Sequence, residues 1–275
     1  MRRSIIKLFS IGKIMLFKNS KGHKMLPDAL LIAIYIIEPL IHTLVWILIN
    51  LALHEQLQQI NTIEEVFLIY IGLAQWFCLR KILSGTGHDL YVYHSLECMS
   101  FFSFKDLVLA KTLSYLVFYE TYVFSFILVG LFILHTPILS PSSIGIVVLS
   151  SLLWFIALFL MKFIIMLIDS LVPIISNELE RGLDRLFYFG SSLFYSTNLL
   201  SEKAKLIMDY NPLYQFSTIL KSIFLGDEAT IQTLFWKQCL VCVALFLIFL
   251  LFIVTNRFSL KKVRANQAFH LTSPY

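Results

Sequence analysis

The chain of 275 residues is 58% hydrophobic and 15% aromatic, and only 14% of it is charged, against about 25% in a soluble domain. Several apolar runs are as long as the roughly 20 residues a bilayer-crossing helix needs, so the composition excludes an ordinary soluble enzyme or nucleic-acid-binding domain and predicts a polytopic, all-α integral membrane protein. The net charge is +5, and where lysine and arginine fall along the chain says more than the sum, because that bias sets the orientation of membrane proteins.

Residues 2–18 alternate Ile, Leu, Phe and Met with Lys, Arg and Ser at near-helical period, the pattern of a helix lying in the membrane surface. Lysines interrupt its apolar residues and no small-residue cleavage site follows, so it is not expected to be a signal peptide. Six spans are predicted, at about 29–53, 65–83, 107–134, 144–168, 186–199 and 234–255. They take up most of a single membrane domain (28–255) between an N-terminal segment (1–27) and a C-terminal tail (256–275), and leave no room within it for a separate soluble catalytic domain. With the N-terminus on the cytoplasmic side, that side receives most of the Lys and Arg. The opposite side receives only Lys203, Lys205, Lys221 and Lys237. The positive-inside rule therefore expects both termini to be cytoplasmic.

Between the fifth and sixth spans, "NPLYQFSTILKSIFLG" (211–226) reads as a short amphipathic helix. Asn211 can cap it, Pro212 suits its first turn and Gly226 can end it. Polar stretches that dip into a membrane survive only against protein or water, so 186–226 is expected to hold short re-entrant helices on the outer side. The segment 84–106, aromatic and with both charge signs, joins the second and third spans. It reads as a surface connection or a docking element for a cytoplasmic partner.

Several residues are candidates for chemistry. Glu38, Pro39 and His42 interrupt the first span, and Glu38 and His42 lie one helical turn apart on one face. A proton relay, a metal half-site or a mutually hydrogen-bonded pair turned from lipid would all fit, and the last is the preferred reading. Glu120 is the other deep acid, and such acids pair structurally or line a polar path. Lys162 is expected to snorkel to the cytoplasmic surface. Tyr188, Phe189, Phe194, Tyr195, Tyr210, Tyr214 and Phe216 gather in sequence around the re-entrant segment, where flat faces with hydroxyl edges suit a sliding sugar chain. Cys78, Cys98, Cys239 and Cys242 read as packing residues rather than a disulfide framework or a metal site. No phosphate-binding G-x-x-x-x-G-K-[ST] loop is present, so any energy for active movement comes from another polypeptide.

The order of these features resembles the permease subunit of bacterial ATP-binding cassette exporters of the polysaccharide type, most closely the inner-membrane protein of group 2 capsule export. The stretches that carry the resemblance are "EPLIHTLVW", "IGLAQWF", "KDLVLAKTLSYLVFY", "VPIISNELERGLDRLFYFGSSLFYS" and "YNPLYQFSTILKSIFLG", colinear from about residue 12 to 260. The run before the first span keeps only the character of the family's, and the arginine common shortly after Asn-Pro-Leu is here Lys221 or absent. The resemblance implies a type-2 exporter permease in the bacterial inner membrane, working as a homodimer. Each copy would dock a cytoplasmic ATPase that binds ATP and Mg, with no cofactor in this chain and no nucleic-acid partner. A periplasmic polysaccharide co-polymerase and an outer-membrane export channel would receive the lipid-linked polymer. In that reading Glu38, His42, Glu120, Tyr188, Phe189, Phe194, Tyr195 and Tyr214 line the path or a dimer face. His88, Asp89, Tyr91, Tyr93 and Glu97 lie in the coupling segment, and Asn211 and Pro212 belong to the outer gate. The alternatives are export of another lipid-linked glycan, such as O-antigen or teichoic acid, or of a small lipophilic compound. A membrane-embedded transferase using Glu38 and His42 as acid and base is the rival from another class.

Overall fold

The computed structural model describes residues 37–46, 48, 63–85, 89, 104–134, 140–191, 201–225 and 227–271. Eight helical segments and no strand occur among the described residues: α1 (37–46), α2 (Ile63–Leu83), α3 (Phe104–Leu134), α4 (Pro141–Leu171), α5 (Pro173–Phe189), α6 (Glu202–Met208), α7 (Pro212–Leu225) and α8 (Glu228–Leu271). The expected interfacial helix at 2–18, most of the first span and most of the 84–106 connection lie outside the described residues.

Helix α2 is the centre. From Tyr70 to Leu79 every side chain is buried, as suits a helix that is apolar all round and enclosed by others. Helices α3, α4, α5 and α7 surround it, and Ile71, Leu73, Phe77, Leu79 and Ile82 have no exposed surface. Three described helices are long and apolar enough to cross a membrane: Lys105–Leu128 of α3, Pro141–Asp169 of α4 and Glu228–Val254 of α8. Their outward faces carry Leu128, Phe132, Val148, Leu152, Leu240, Leu247 and Leu251. A patch that size marks an interaction surface rather than one left in water, and it is what lipid would cover. Inside, α4 and α8 are tied by polar groups, with the Ser150 hydroxyl donating to Gln238 Oε1 at 2.5 Å and Gln238 Nε2 donating to the Ser150 carbonyl at 3.1 Å.

Helix boundaries follow local chemistry. Ser140 caps α4 by accepting from the Ser143 amide, and Pro141 occupies the first turn, where its missing N–H goes unneeded. The Ser140 amide donates to the Glu228 carboxylate at 2.9 Å, so α4 and α8 start at the same end of the bundle. Asp227 caps α8 by accepting from the Thr230 amide at 3.1 Å and from its hydroxyl. Those bonds favour the ionised form and hold the Asp227 carboxyl below the usual range. At the opposite, basic end, α2 stops at Gly85, whose φ of 73° is a left-handed conformation that glycine adopts without penalty.

One expectation is corrected. The helix expected to start near Leu186 starts at Pro173, straight after α4. Its polar residues read as connection, yet its apolar stripe, including Leu179, Leu183 and Phe187, faces the core. The stretch of the last helix suited to cross a membrane ends at Val254, as expected, and the helix itself runs on to Leu271. The amphipathic helix read at 211–226 is found as α7, from Pro212 to Leu225.

The tertiary contacts fix what α5 and α7 do together. Helix α5 runs back from the basic end beside α2: Glu180 meets Gly85, Asp184 meets Trp76 and Arg80, and Tyr188 meets Trp76. Trp76 lies seven residues before Leu83, about 10 Å in at 1.5 Å per residue. Helix α5 therefore ends at Gly190 well inside the bundle, where the Asn211 side chain donates to the Gly190 carbonyl at 2.7 Å. From there α7 continues to the end where α8 begins. The two helices meet at that bond, with α6 between them in the chain.

Candidate functional site

The first helix presents a polar stripe to α2. Pro39 and Thr43 are buried, Glu38, His42 and Trp46 half-buried, and Ile37, Leu40, Ile41, Leu44 and Val45 exposed. The Thr43 hydroxyl donates back to the Pro39 carbonyl at 2.9 Å. The stripe at positions 38, 39, 42, 43 and 46 follows from helical spacing alone, and it turns Glu38 and His42 from the lipid side as expected.

The expected Glu38–His42 hydrogen bond is not made. Glu38 Oε2 lies 3.1 Å from Lys81 Nζ on α2, while the His42 ring meets Phe77 edge-on at 5.0 Å and Trp76 at 6.2 Å. The physical reason is partner choice. A carboxylate next to an ammonium from another helix makes a charge-assisted bond, and the imidazole body finds an aromatic wall.

Around Trp76 the structure gathers a mixed aromatic and charged face from α1, α2 and α5. Trp76 Nε1 donates to Asp184 Oδ1 at 3.1 Å, and Arg80 lies 3.8 Å from the other carboxylate oxygen and 5.2 Å above the Trp76 ring. Tyr188 leans on Trp76 at 4.5 Å and on Phe189 at 5.2 Å. Arg80, Arg181, Arg185 and Phe189 are exposed, with Asp184, Lys81 and Tyr188 half-buried. Of the residues expected to line a path, Glu38, His42, Tyr188 and Phe189 come together here. Trp76, Arg80, Lys81 and Asp184 were not singled out from the sequence. A tryptophan and two cations inside an otherwise apolar run were the signal that could have found them.

Glu120 is elsewhere, between α3 and α2, and is only 7% exposed. It is turned inward as intramembrane acids are. Gln75 is its polar neighbour, yet among the described residues neither the carboxyl oxygens nor the Gln75 amide atoms make a hydrogen bond. Phe194 and Tyr195 lie outside the described residues. Phe216 is not a surface group but a core one, stacked on Trp154 at 5.4 Å. Tyr210 is exposed and Tyr214 half-buried.

Asn211 and Pro212, expected at an outer gate, lie where α7 begins and meets the end of α5. Asn211 Oδ1 accepts from the amides of Leu213 at 3.0 Å and Tyr214 at 3.4 Å, capping α7 while its Nδ2 holds Gly190. A Cβ at Gly190 would lie 2.6 Å from the Leu186 carbonyl oxygen and 3.1 Å from Asn211 Nδ2, so only glycine fits there without displacement. Asp209, two residues before the cap, pairs with Lys237 of α8, and its carbonyl accepts from Gln215 Nε2.

Of the expected coupling residues, His88, Tyr91, Tyr93 and Glu97 lie outside the described residues. Asp89 is buried, not displayed for docking. Its Oδ2 lies 2.7 Å from both Lys111 Nζ of α3 and Lys162 Nζ of α4. Burial by itself would raise the Asp89 carboxyl, but the two ammoniums outweigh it and hold the group below the usual carboxylate range. Lys162 therefore does not snorkel. It has no exposed surface, and it donates to the Leu83 carbonyl at 3.1 Å as well as to Asp89. Cys242 packs as expected, its thiol meeting the Leu153 carbonyl at 3.3 Å. No group of three metal-ligating side chains occurs among the described residues. Compared with known proteins, the chain matches no family model and no curated protein.

Proposed function

We propose that this chain is the membrane-embedded permease subunit of an ATP-driven exporter, moving a lipid-linked polysaccharide of the capsular type across the bacterial inner membrane. In this reading it has six spans, cytoplasmic termini and a second copy of itself as partner, and a separate ATPase supplies the energy. The observation that carries the reading is the face of Arg80, Tyr188 and Phe189, which the buried Trp76 backs. It sets aromatic planes, a guanidinium and half-exposed ion pairs along helices of a membrane domain, where lipid contact would be unfavourable for the charges and a hydrated sugar chain would meet both stacking surface and hydrogen-bonding groups. The meeting of the α5 and α7 ends supports it further, since helix ends at membrane depth occur where they line protein or a wet cavity.

The test is reconstitution. The tagged chain, purified from its native membrane, is expected to bring a P-loop ATPase with it, and vesicles holding both are expected to take up a lipid-linked glycan when ATP is added. Phe189→Ala, which removes the exposed ring of that face, is expected to lower uptake about tenfold or more, on the scale of the 1–3 kcal/mol that a stacking aromatic contributes, while the ATPase still co-purifies. A chain that captures no ATPase and moves no glycan overturns the reading. Uptake of a different lipid-linked glycan or of a small lipophilic compound in its place would select between the transport alternatives.

A further inference from the structure

We infer that Asp89 is a positioning residue, which locks the connection after α2 onto α3, α4 and α5 through one charge-balanced joint. Every group of the joint is placed. Helix α2 ends there, so its last carbonyls carry the negative end of the helix dipole. Lys111 Nζ donates to the Ser84 carbonyl at 2.7 Å, and Lys162 Nζ to the carbonyls of Leu83 at 3.1 Å and Ser84 at 3.4 Å. Both ammoniums then share one oxygen of Asp89. From the fourth side, Glu180 of α5 accepts from the Gly85 amide at 3.1 Å, and the Asp89 amide closes the turn by donating to the Gly85 carbonyl at 3.0 Å.

Asp89, Lys111 and Lys162 are 3%, 6% and 0% exposed, and buried charges hold together only when paired and hydrogen-bonded. With Asp89 neutralised, two buried ammoniums would face each other across the helix end, without the carboxylate that both contact. Repulsion would then drive the joint open. Because the lysines belong to different helices, a displacement of the connection reaches both α3 and α4 through the Asp89 oxygen and the Leu83 and Ser84 carbonyls. The inference deepens the exporter reading and rests on it only for the transport consequence, namely that motion imposed on the connection by an ATPase enters the bundle here.

Hydrogen exchange of the full chain in lipid nanodiscs, with no partner present, tests the joint. Over residues 80–89, which include the hydrogen-bonded amides of Ser84, Gly85 and Asp89, Asp89→Asn is expected to speed exchange about tenfold or more, as local opening becomes easier. Asp89→Asn combined with Lys162→Met, which removes the surplus cation, is expected to restore slow exchange, and Asp89→Glu to stay near the parent protein. Unchanged exchange in Asp89→Asn overturns the inference, as does a double variant no slower than the single one. If Asp89→Asn yields no folded protein, the double variant must yield it, and failure of both overturns the charge origin of the lock. In vesicles with the ATPase, Asp89→Asn is expected to keep ATP hydrolysis and lose glycan uptake, and Asp89→Glu to rescue it. Loss of hydrolysis and uptake together would point to collapse instead and overturn the positioning role. A parent chain that captures no ATPase sinks the exporter reading while the exchange result still decides the joint.

Discussion

Two buried polar sites of this protein lie on the same central helix and behave in opposite ways. At the end of α2, Asp89, Lys111 and Lys162 are shut from solvent, and each ammonium meets the carboxylate and a backbone carbonyl. About two turns back along α2, Gln75 faces Glu120 of α3 with equal burial, yet four side-chain atoms there lack hydrogen-bond partners among the described residues. Burial is the same, and compensation differs. The first site can hold helices in register, because breaking it strands a charge. The second opposes close packing of α2 on α3, since each buried polar group left unpaired costs about 1–3 kcal/mol. Charged content alone therefore says little about stability, and the presence of partners decides.

The comparison can be broken most directly at Asp89. Asp89→Asn is expected to lower the stability of the purified protein by about 3–5 kcal/mol, the usual penalty of removing one partner from a buried ion pair. Calorimetric or denaturant unfolding in detergent checks it, and a loss no greater than that of an exposed ion pair would contradict the assignment. At the other site, Gln75→Met keeps the volume and removes two unpartnered atoms. It is expected to change stability by no more than about 1 kcal/mol in the same assay, far less than the Asp89 change.

Acid gives a third view. The Asp89 carboxyl is held below its ordinary value of about 3.9. Its contribution is thus fully present above that pH and is lost as pH falls through the depressed folded value. Stability of the parent protein is expected to decline below about pH 4 more steeply than that of Asp89→Glu/Lys162→Met, whose carboxylate has one cation fewer to hold its pKa down. Parallel acid profiles would remove Asp89 from the acid response. The smallest effect is expected at Lys81→Ala. Its pair with Glu38 is about 30% exposed on both sides, and such pairs contribute roughly 0.2–1 kcal/mol.

Much of the fold was legible along the chain. The third and fourth spans and α7 follow from apolar length and from caps such as Asn211–Pro212, signals that depend on adjacent residues only. Helix α5 was misread because its stripe alternates with Glu178, Arg181, Asp184 and Arg185, so mean polarity hid a periodic face. The candidate site was half visible. Glu38, His42, Tyr188 and Phe189 stood out as polar or aromatic groups in apolar runs, but their meeting at Trp76 did not, because α1, α2 and α5 are far apart in sequence and only packing brings them together.

What the sequence by itself determined is the character of the protein: helical, with apolar lengths suited to a bilayer, breaks at proline and glycine, and polar residues spaced to share a helix face. All of these are set by local geometry and hydration. Partner choice belonged to the tertiary structure. Glu38 was set one turn from His42 and found Lys81 instead. Lys162 was set to reach for the surface and found Asp89. The reason is that a buried charge settles on whichever opposite charge the packing brings within about 3–4 Å, and the nearest residue in sequence has no advantage once helices 22 to 79 residues apart lie side by side.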